Sequence, residues 1–301
     1  KLILIDANAL VHRAFHALPP LTNRKGELTN AVYGFSSVLI KVINELKPDY
    51  MAAAFDLAAP TFRHIEYDQY KAKRPKAPDE LYEQIPKTKD VLQAFGVPVL
   101  EKEGFEADDI IGTVAKKYTN KKIDILIMTG DLDTLQLIDD NIKVYTMKKG
   151  LSDTVIYGEK EVEERYGLKV SQMIDYKALR GDPSDNIPGV KGVGEITATS
   201  LLKEFKTLEN LYKNLNKVKN KNVAEKLKID KQMAFFSKNL ATIRQNVAIK
   251  IDLKQLDWQN HFNIDEVRKL FEELGFHTLL RRLSGGEAPK EPEISKQQTL
   301  L

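Results

Sequence analysis

Three short apolar runs, each followed by an aspartate, constrain the fold of this chain more than any other feature. They are Leu2-Ile3-Leu4-Ile5 before Asp6, Met51 to Phe55 before Asp56, and Ile123 to Met128 before Thr129-Gly130-Asp131-Leu132-Asp133. Runs this short, without polar alternation, read as strands buried on both faces. Between the first two lies a helical pattern through Val32, Phe35, Val38, Leu39, Val42, Ile43 and Leu46, stopped by Pro48. Val97 to Leu100 and Ile142 to Tyr145 add two more strands. Strands separated by helices imply right-handed crossovers, hence an α/β fold with a largely parallel central sheet flanked by helices. Ligands of open α/β sheets bind at the carboxyl ends of the strands, which is where Asp6, Asp56 and Asp131 stand.

The same rim receives Glu106-Ala107-Asp108-Asp109, at the start of a helix through Ile110, Ile111, Val114 and Ala115. One or two acids there would serve the helix dipole. Three, with further pairs at Asp131/Asp133 and Asp182/Asp185, exceed that need, and clustered carboxylates repel unless a cation neutralises them. An all-oxygen divalent-metal site follows. Cysteine is absent and no pair among the five His has zinc-ligand spacing, so the metal class is Mg²⁺ or Mn²⁺. The missing cysteines fit a cytoplasmic setting, no apolar run approaches the roughly 18 residues of a membrane span, and Leu2 to Ile5 reads as a strand rather than an export signal.

The net charge of +3 hides an uneven distribution. Thr61 to Leu81 mixes Arg63, Lys71, Lys73, Arg74 and Lys76 with tyrosines and reads as a mobile basic segment over the active rim. Lys203 to Lys231 carries nine Lys against four acids. Acidic residues flanked by basic stretches suit a polyanion that must also meet metal. The second half is helical. Its run from Arg180 to Glu195 is neither a phosphate-binding P-loop nor a dinucleotide fingerprint. Two helices joined through Gly189, Gly192 and Gly194 would present backbone N–H groups to a phosphate. From Ser284 to Leu301 the chain turns polar and reads as a disordered tail.

Ile5-Asp6, Phe55-Asp56, Thr61-Phe62-Arg63-His64, Tyr70 to Pro75, Glu106 to Asp109, Gly130 to Asp133 and the Gly181 to Gly194 run, taken together, resemble the bacterial 5′-nuclease family. These are structure-specific 5′→3′ exonucleases and flap endonucleases, and the likeness is greatest to the nuclease domains that open bacterial DNA polymerases I. The resemblance implies an α/β domain over 1–168 with a helical arch at about 61–90. A helix-three-turn-helix DNA-binding domain over 169–283 and a tail over 284–301 would follow. It assigns one metal to Asp6, Asp56 and Asp108, with Glu106 and Asp109 close by, and a second to Asp131, Asp133, Asp182 and Asp185. It puts Lys71 and Arg74 at the scissile phosphate, with Arg13 and Arg63 near it, and duplex DNA at Gly189, Lys191, Gly192 and Gly194, where K⁺ also binds.

The expected function is cleavage of branched or nicked duplex DNA near single-strand to duplex junctions by two Mg²⁺, with Mn²⁺ as a substitute, in primer removal and repair. A monomer at the bacterial nucleoid is expected. The rival readings are a DNA-structure binding module whose metal site has decayed and a single-strand ribonuclease of related fold. Gln297 to Leu301 resembles the short peptides by which replication proteins dock on a sliding clamp.

Overall fold

The structure, a computed structural model, describes residues 1–283 apart from 120, 122 and 152. Its α/β half runs β1 (Leu2–Asp6), α1 (Ala7–Ala17), α2 (Asn30–Leu46), β2 (Tyr50–Ala54), α3 (Phe62–Glu66), α4 (Asp79–Tyr82), α5 (Gln84–Ala94), β3 (Val99–Leu100), α6 (Ala107–Thr119), β4 (Ile125–Met128), β5 (Ile142–Lys149) and β6 (Asp153–Tyr157). Helices make up the rest: α7 (Glu159–Tyr166), α8 (Met173–Arg180), α9 (Glu195–Phe205), α10 (Leu208–Lys213), α11 (Lys221–Ile229), α12 (Lys231–Ala241), α13 (Leu253–Leu256), α14 (Ile264–Leu274) and α15 (His277–Leu283).

The six strands lie in the order β3-β2-β1-β4-β5-β6. All neighbours are parallel except β5 and β6. Successive side chains of a strand point to opposite faces, and here both faces are covered. Leu2, Leu4, Ala52, Ile125 and Ile127 pack with Ile110, Ile111, Val114 and Ala115 of α6. Ile3, Ile5, Met51, Ala53, Leu126 and Met128 pack with α1, α2 and α5 on the other side. That double burial is why the strands read as continuous apolar runs. The chain leaves β1 towards β2 and β3 on one side and reaches β4, β5 and β6 on the other, so a crevice opens between the carboxyl ends of β1 and β4.

α1 and β6 are among the elements of this half that lie outside the sequence pattern. α1 follows β1 without a turn, and Leu10, Val11 and Ala14 are buried on it while His12, Arg13 and His16 interrupt the apolar spacing. β6 is an antiparallel edge strand, largely uncovered, so it lacks the apolar run of a buried strand.

The last helices return to the first core. Asn263 caps α14 by accepting from the N–H groups of Asp265 and Glu266, and Gly275, at φ 76°, ends it. Val267, Phe271 and Leu274, at i, i+4 and i+7, form its buried stripe and join Phe276 and Leu279 in the cluster that holds Phe35 and Phe95. Trp258 is buried and donates Nε1–H to the Pro48 carbonyl at 3.0 Å. Residues expected to close the helical domain thus seal the α/β half. The tail from 284, including the Gln297 to Leu301 motif, lies outside the described residues.

Candidate active site

At the carboxyl ends of β1 and β4, Thr129 Oγ1 donates to Asp6 Oδ2 at 2.6 Å. Asp6 also caps α1, its Oδ1 accepting from Ala9 N–H at 3.0 Å. From β2, Asp56 Oδ1 accepts from Ala107 N–H at 2.7 Å, at the amino terminus of α6. After β4, Asp131 N–H donates to Thr129 Oγ1, and Asp131 Oδ1 accepts from Asp133 N–H. Backbone amides and a threonine thus aim carboxylates from separate elements at one place. Asp6, Asp56, Glu106, Asp108, Asp131, Asp133 and Asp182 line a single cavity of 820 Å³. Asp185 lines a small void beside it, with Glu106, Asp108, Asp131 and Asp133.

The cluster is electrostatically strained. Burial pushes the Asp6 carboxyl up to about 7 despite its hydrogen bonds from Thr129 and Ala9. Burial likewise lifts Asp133 to about 7 against the pull of Lys177. Asp108 is raised well above the carboxylate range by burial and then by Asp6, Asp131 and Asp133. Asp182 goes the other way: burial opposes it, yet Lys177 and Ser184 hold it down at about 2.

Basic side chains stand between the acids. Lys177 pairs with Asp133 and, at 2.7 Å, with Asp182. Lys71 Nζ lies 2.8 Å from Glu106 Oε1 and 3.9 Å from Asp185, and Arg74 pairs with Asp185. Among the described residues no three His, Asp or Glu side chains are grouped to hold a metal ion as they stand.

The basic segment is docked rather than loose. Lys71 N–H donates to the Asp185 carbonyl at 2.9 Å, Arg74 Nε–H to the Ser184 carbonyl at 3.1 Å, and Asn186 Nδ2–H to the Gln69 carbonyl at 2.7 Å. Tyr70 is buried, its hydroxyl 3.1 Å from Glu106 Oε2 and 2.9 Å from Asp185 Oδ2. Burial, Glu106 and Asp185 all raise its pKa, so it stays a donor. The mobile segment expected from the sequence is held by these bonds, because its cations and N–H groups meet the acids and carbonyls of the 182–187 hairpin.

Two residues expected in the chemistry are committed to buried pairs beside it. All five Arg63 N–H groups are used, on Glu106, on both oxygens of Asp109, and on the carbonyls of Leu240 and Thr242. Asp109 is fully buried, and its oxygens also accept from Glu106 N–H and Arg244 N–H. Neither has capacity left for a phosphate or a metal, and they tie α3, α6 and the chain after α12 together. Arg13 does line the cavity, but it donates to the carbonyls of Met147 and Gly150. Lys177 was not foreseen. It reaches the acids from α8, and its only sequence signal is its place five residues before Asp182.

The glycine run also divides. Gly189 is buried, its N–H donates to Ser237 Oγ at 3.0 Å, and a Cβ there would lie 2.3 Å from the Gly181 nitrogen. Its role is backbone packing. Lys191, Gly192 and Gly194 are exposed beside α9, with the Gly192 carbonyl 3.3 Å from Lys226 Nζ.

The family model described as "5′-3′ exonuclease, N-terminal resolvase-like domain" matches residues 1–167, and "5′-3′ exonuclease, C-terminal SAM fold" matches 168–263. The chain belongs to the 5′-3′ exonuclease family. This 5′-nuclease chain is 45% identical over 295 residues to a DNA polymerase I of Bacillus subtilis, a match covering 98% of the chain and 33% of that protein. It spans about a third of the length of the curated relatives it matches. The fold is that of a T5 5′-exonuclease structure with bound zinc, at TM-score 0.66 and 20% identity over 91% of this chain and 98% of that one. It is also that of a T5 flap endonuclease in complex with DNA and metal ions, at TM-score 0.65 and 18% identity over 94% and 99%. The second half of the 5′-nuclease is accordingly a SAM-like helical domain.

Proposed function

We propose that the chain hydrolyses DNA phosphodiesters at 5′ ends and 5′ flaps, near single-strand to duplex junctions, with two divalent cations. The observation that carries this reading is the gathering of seven carboxylates, from β1, β2, β4, α6 and the 182–187 hairpin, in one cavity at the sheet's topological switch point. The donor set fits hard divalent ions: it is all oxygen, and Asp6, Asp108 and Asp133 are burdened by burial and like charge that a cation would relieve. Asp6, Asp56, Asp108 and Glu106 would hold one ion, and Asp131, Asp133, Asp182 and Asp185 the other. Mg²⁺ is the first choice and Mn²⁺ a substitute. When bound, such ions activate water and stabilise the developing negative charge of phosphoryl transfer.

The chain's own residues do the positioning. Lys71 and Arg74 pair with Glu106 and Asp185, so exchange of those carboxylates onto cations would leave two positive side chains for the scissile phosphate. Tyr70, protonated and buried, would hold Glu106 and Asp185 in register across the two halves of the site. Lys191, Gly192 and Gly194 would meet the duplex backbone, and K⁺ would sit on carbonyls of that turn. A DNA polymerase I relative supports a place in primer removal and repair in the bacterial cytoplasm. The T5 complex with DNA and metal ions supports the substrate class.

A 5′-flap duplex incubated with Mg²⁺, and in parallel with a chelator, tests the reading. Asp108→Asn and Asp131→Asn are expected to abolish cleavage while binding in Ca²⁺ survives. Turnover by either within about tenfold of wild type, a barrier change near 1.4 kcal/mol, would overturn the assignment.

A further inference from the structure

The far end of the catalytic cavity is walled by groups that the chemistry above does not use. Arg165, at the end of α7, and Arg180, the last residue of α8, both line it and are exposed to solvent. Neither makes an ion pair among the described residues. By contrast, the lysines and the arginine that reach the carboxylates, Lys71, Arg74 and Lys177, are all paired with them.

The two guanidinium groups are nevertheless held in position by aromatic rings. The Arg165 carbon lies 5.2 Å from the Tyr166 ring centre and 5.6 Å from that of Tyr157, whose hydroxyl accepts from it. The Arg180 carbon lies 5.6 Å from the Tyr176 ring. Tyr166 and Tyr176 pack edge to face at 6.0 Å, and Tyr157 and Tyr176 are buried. Two cationic planes thus lie against packed rings at the wall of the cavity, where neither forms an ion pair among the described residues. Glu195, at the start of α9, is the acid sharing this end, and it lies outside ion-pair distance of both.

Position adds direction. Lys177, one turn before Arg180 on α8, touches the carboxylates, whereas Arg180, about 5 Å further along the helix, makes no ion pair with them among the described residues. Glu195 begins α9 directly after the exposed Gly192–Gly194 turn. A strand running from the carboxylates to that turn would pass along the wall that Arg165, Arg180 and Glu195 share. A guanidinium fork matches phosphate geometry in two parallel hydrogen bonds, and orienting it in advance lowers the entropy lost on contact.

We propose that Arg165 and Arg180 form a phosphodiester subsite separate from the scissile position, gripping the backbone of the DNA strand between the carboxylate centre and the Gly192–Gly194 turn. The subsite rests on the nuclease reading for its substrate, and it adds which part of that substrate is held. It makes these arginines binding residues, with their effect on KM rather than on the chemical step.

The test compares wild type with Arg165→Gln, Arg180→Gln and the double variant, binding a 5′-flap duplex in Ca²⁺ over a range of salt concentrations. Each single change is expected to weaken binding several-fold and to lower the slope of log affinity against log salt by about 0.9, and the double change by about twice that. In Mg²⁺ the KM should rise several-fold while the single-turnover rate at saturating DNA changes less than about threefold, and Arg→Lys at either site should recover most of the slope. Should Arg165→Gln unfold the protein through its contact with Tyr157, Arg180→Gln and Arg165→Lys still decide. Unchanged slope and affinity in Arg180→Gln would overturn the proposal, as would a loss of rate with binding intact. Wild-type cleavage of the same flap in Mg²⁺ judges the nuclease reading independently. If cleavage fails while the slopes fall, the grip stands alone. If cleavage occurs and the slopes match, the grip is wrong.

Discussion

Arg63 is the residue whose environment differs most from what its sequence neighbours suggest. It sits in a basic segment beside the active rim, yet only 3% of its side chain is exposed, facing a carboxylate with no exposure at all. Its guanidinium lies 2.7 and 2.9 Å from the two Asp109 oxygens, a bidentate pair sealed by backbone carbonyls. Such a pair contributes modestly against an apolar substitute, but removing one partner leaves a buried charge without its counterion. Arg63→Ala is therefore expected to lower stability by about 3–5 kcal/mol, read as a drop in the denaturant midpoint. The double variant Arg63→Met, Asp109→Asn should recover part of that loss, because an amide oxygen at position 109 can still accept a backbone N–H that Asp109 now serves. A single Arg63→Ala variant of wild-type stability that fails only in catalysis would return Arg63 to the phosphate.

At the level of elements, the 181–189 hairpin decides how α8 and α9 are joined. Asp182 and Ile187 pair across it, exchanging hydrogen bonds of 2.8 Å in both directions, and this turns Asp182 and Asp185 towards the acids of the α/β half. Gly189, at φ 64°, runs against the backbone of Gly181 too closely for any side chain. Gly194, at φ −94°, has open space where a Cβ would go. Gly189→Ala should then cost at least about 2 kcal/mol, from the left-handed backbone and the clash together, and should lower cleavage by displacing Asp182 and Asp185. Gly194→Ala should cost less than about 1 kcal/mol, the scale of a helix amino-terminal cap. Thermal melts of the two variants check the contrast, and equal losses would mean that the hairpin tolerates more movement than its geometry implies.

For the whole molecule, the acid cluster links folding to pH and metal. Asp6 and Asp133, at about 7 in the folded chain, and Asp108, raised well above the carboxylate range, bind protons that the unfolded chain releases near 4. Where the folded state binds more protons, stability falls as pH rises, here between about 4 and 7. Asp182, held at about 2, acts oppositely, adding stability above about 4 that is lost on further acidification. In chelator, the melting temperature should thus be highest near pH 4 and decline from there towards pH 8. Mg²⁺ or Mn²⁺ should raise it most at the alkaline end, by the equivalent of about 2.7 kcal/mol when the ion is a hundredfold above its Kd. A melting temperature that rises steadily from pH 5 to pH 8 in chelator would contradict this account of the cluster.

How much of this was legible in the sequence follows from the range of the interactions involved. The α/β class, five of the six strands and the rim of Asp6, Asp56, Asp131 and the Glu106 helix were legible because they rest on local pattern: apolar runs of strand length, helical spacing, and an acid at each strand end. β6 and α1 were not, since an uncovered edge strand and a helix facing a polar cavity carry little apolar periodicity. Nor did local pattern separate Asp109 from Asp108. Adjacent residues on a helix point about 100° apart, and which of them meets Arg63 depends on α3 and on the chain at 240–244 packing beside it. Lys177, Arg165 and Arg180 are ordinary helix-surface cations until α7 and α8 are docked along the cavity. The sequence determined which residue types would gather at the sheet's edge. Tertiary packing decided which of them are locked in buried pairs and which still face the substrate, because that depends on counterions and hydrogen-bond partners tens to more than a hundred residues away.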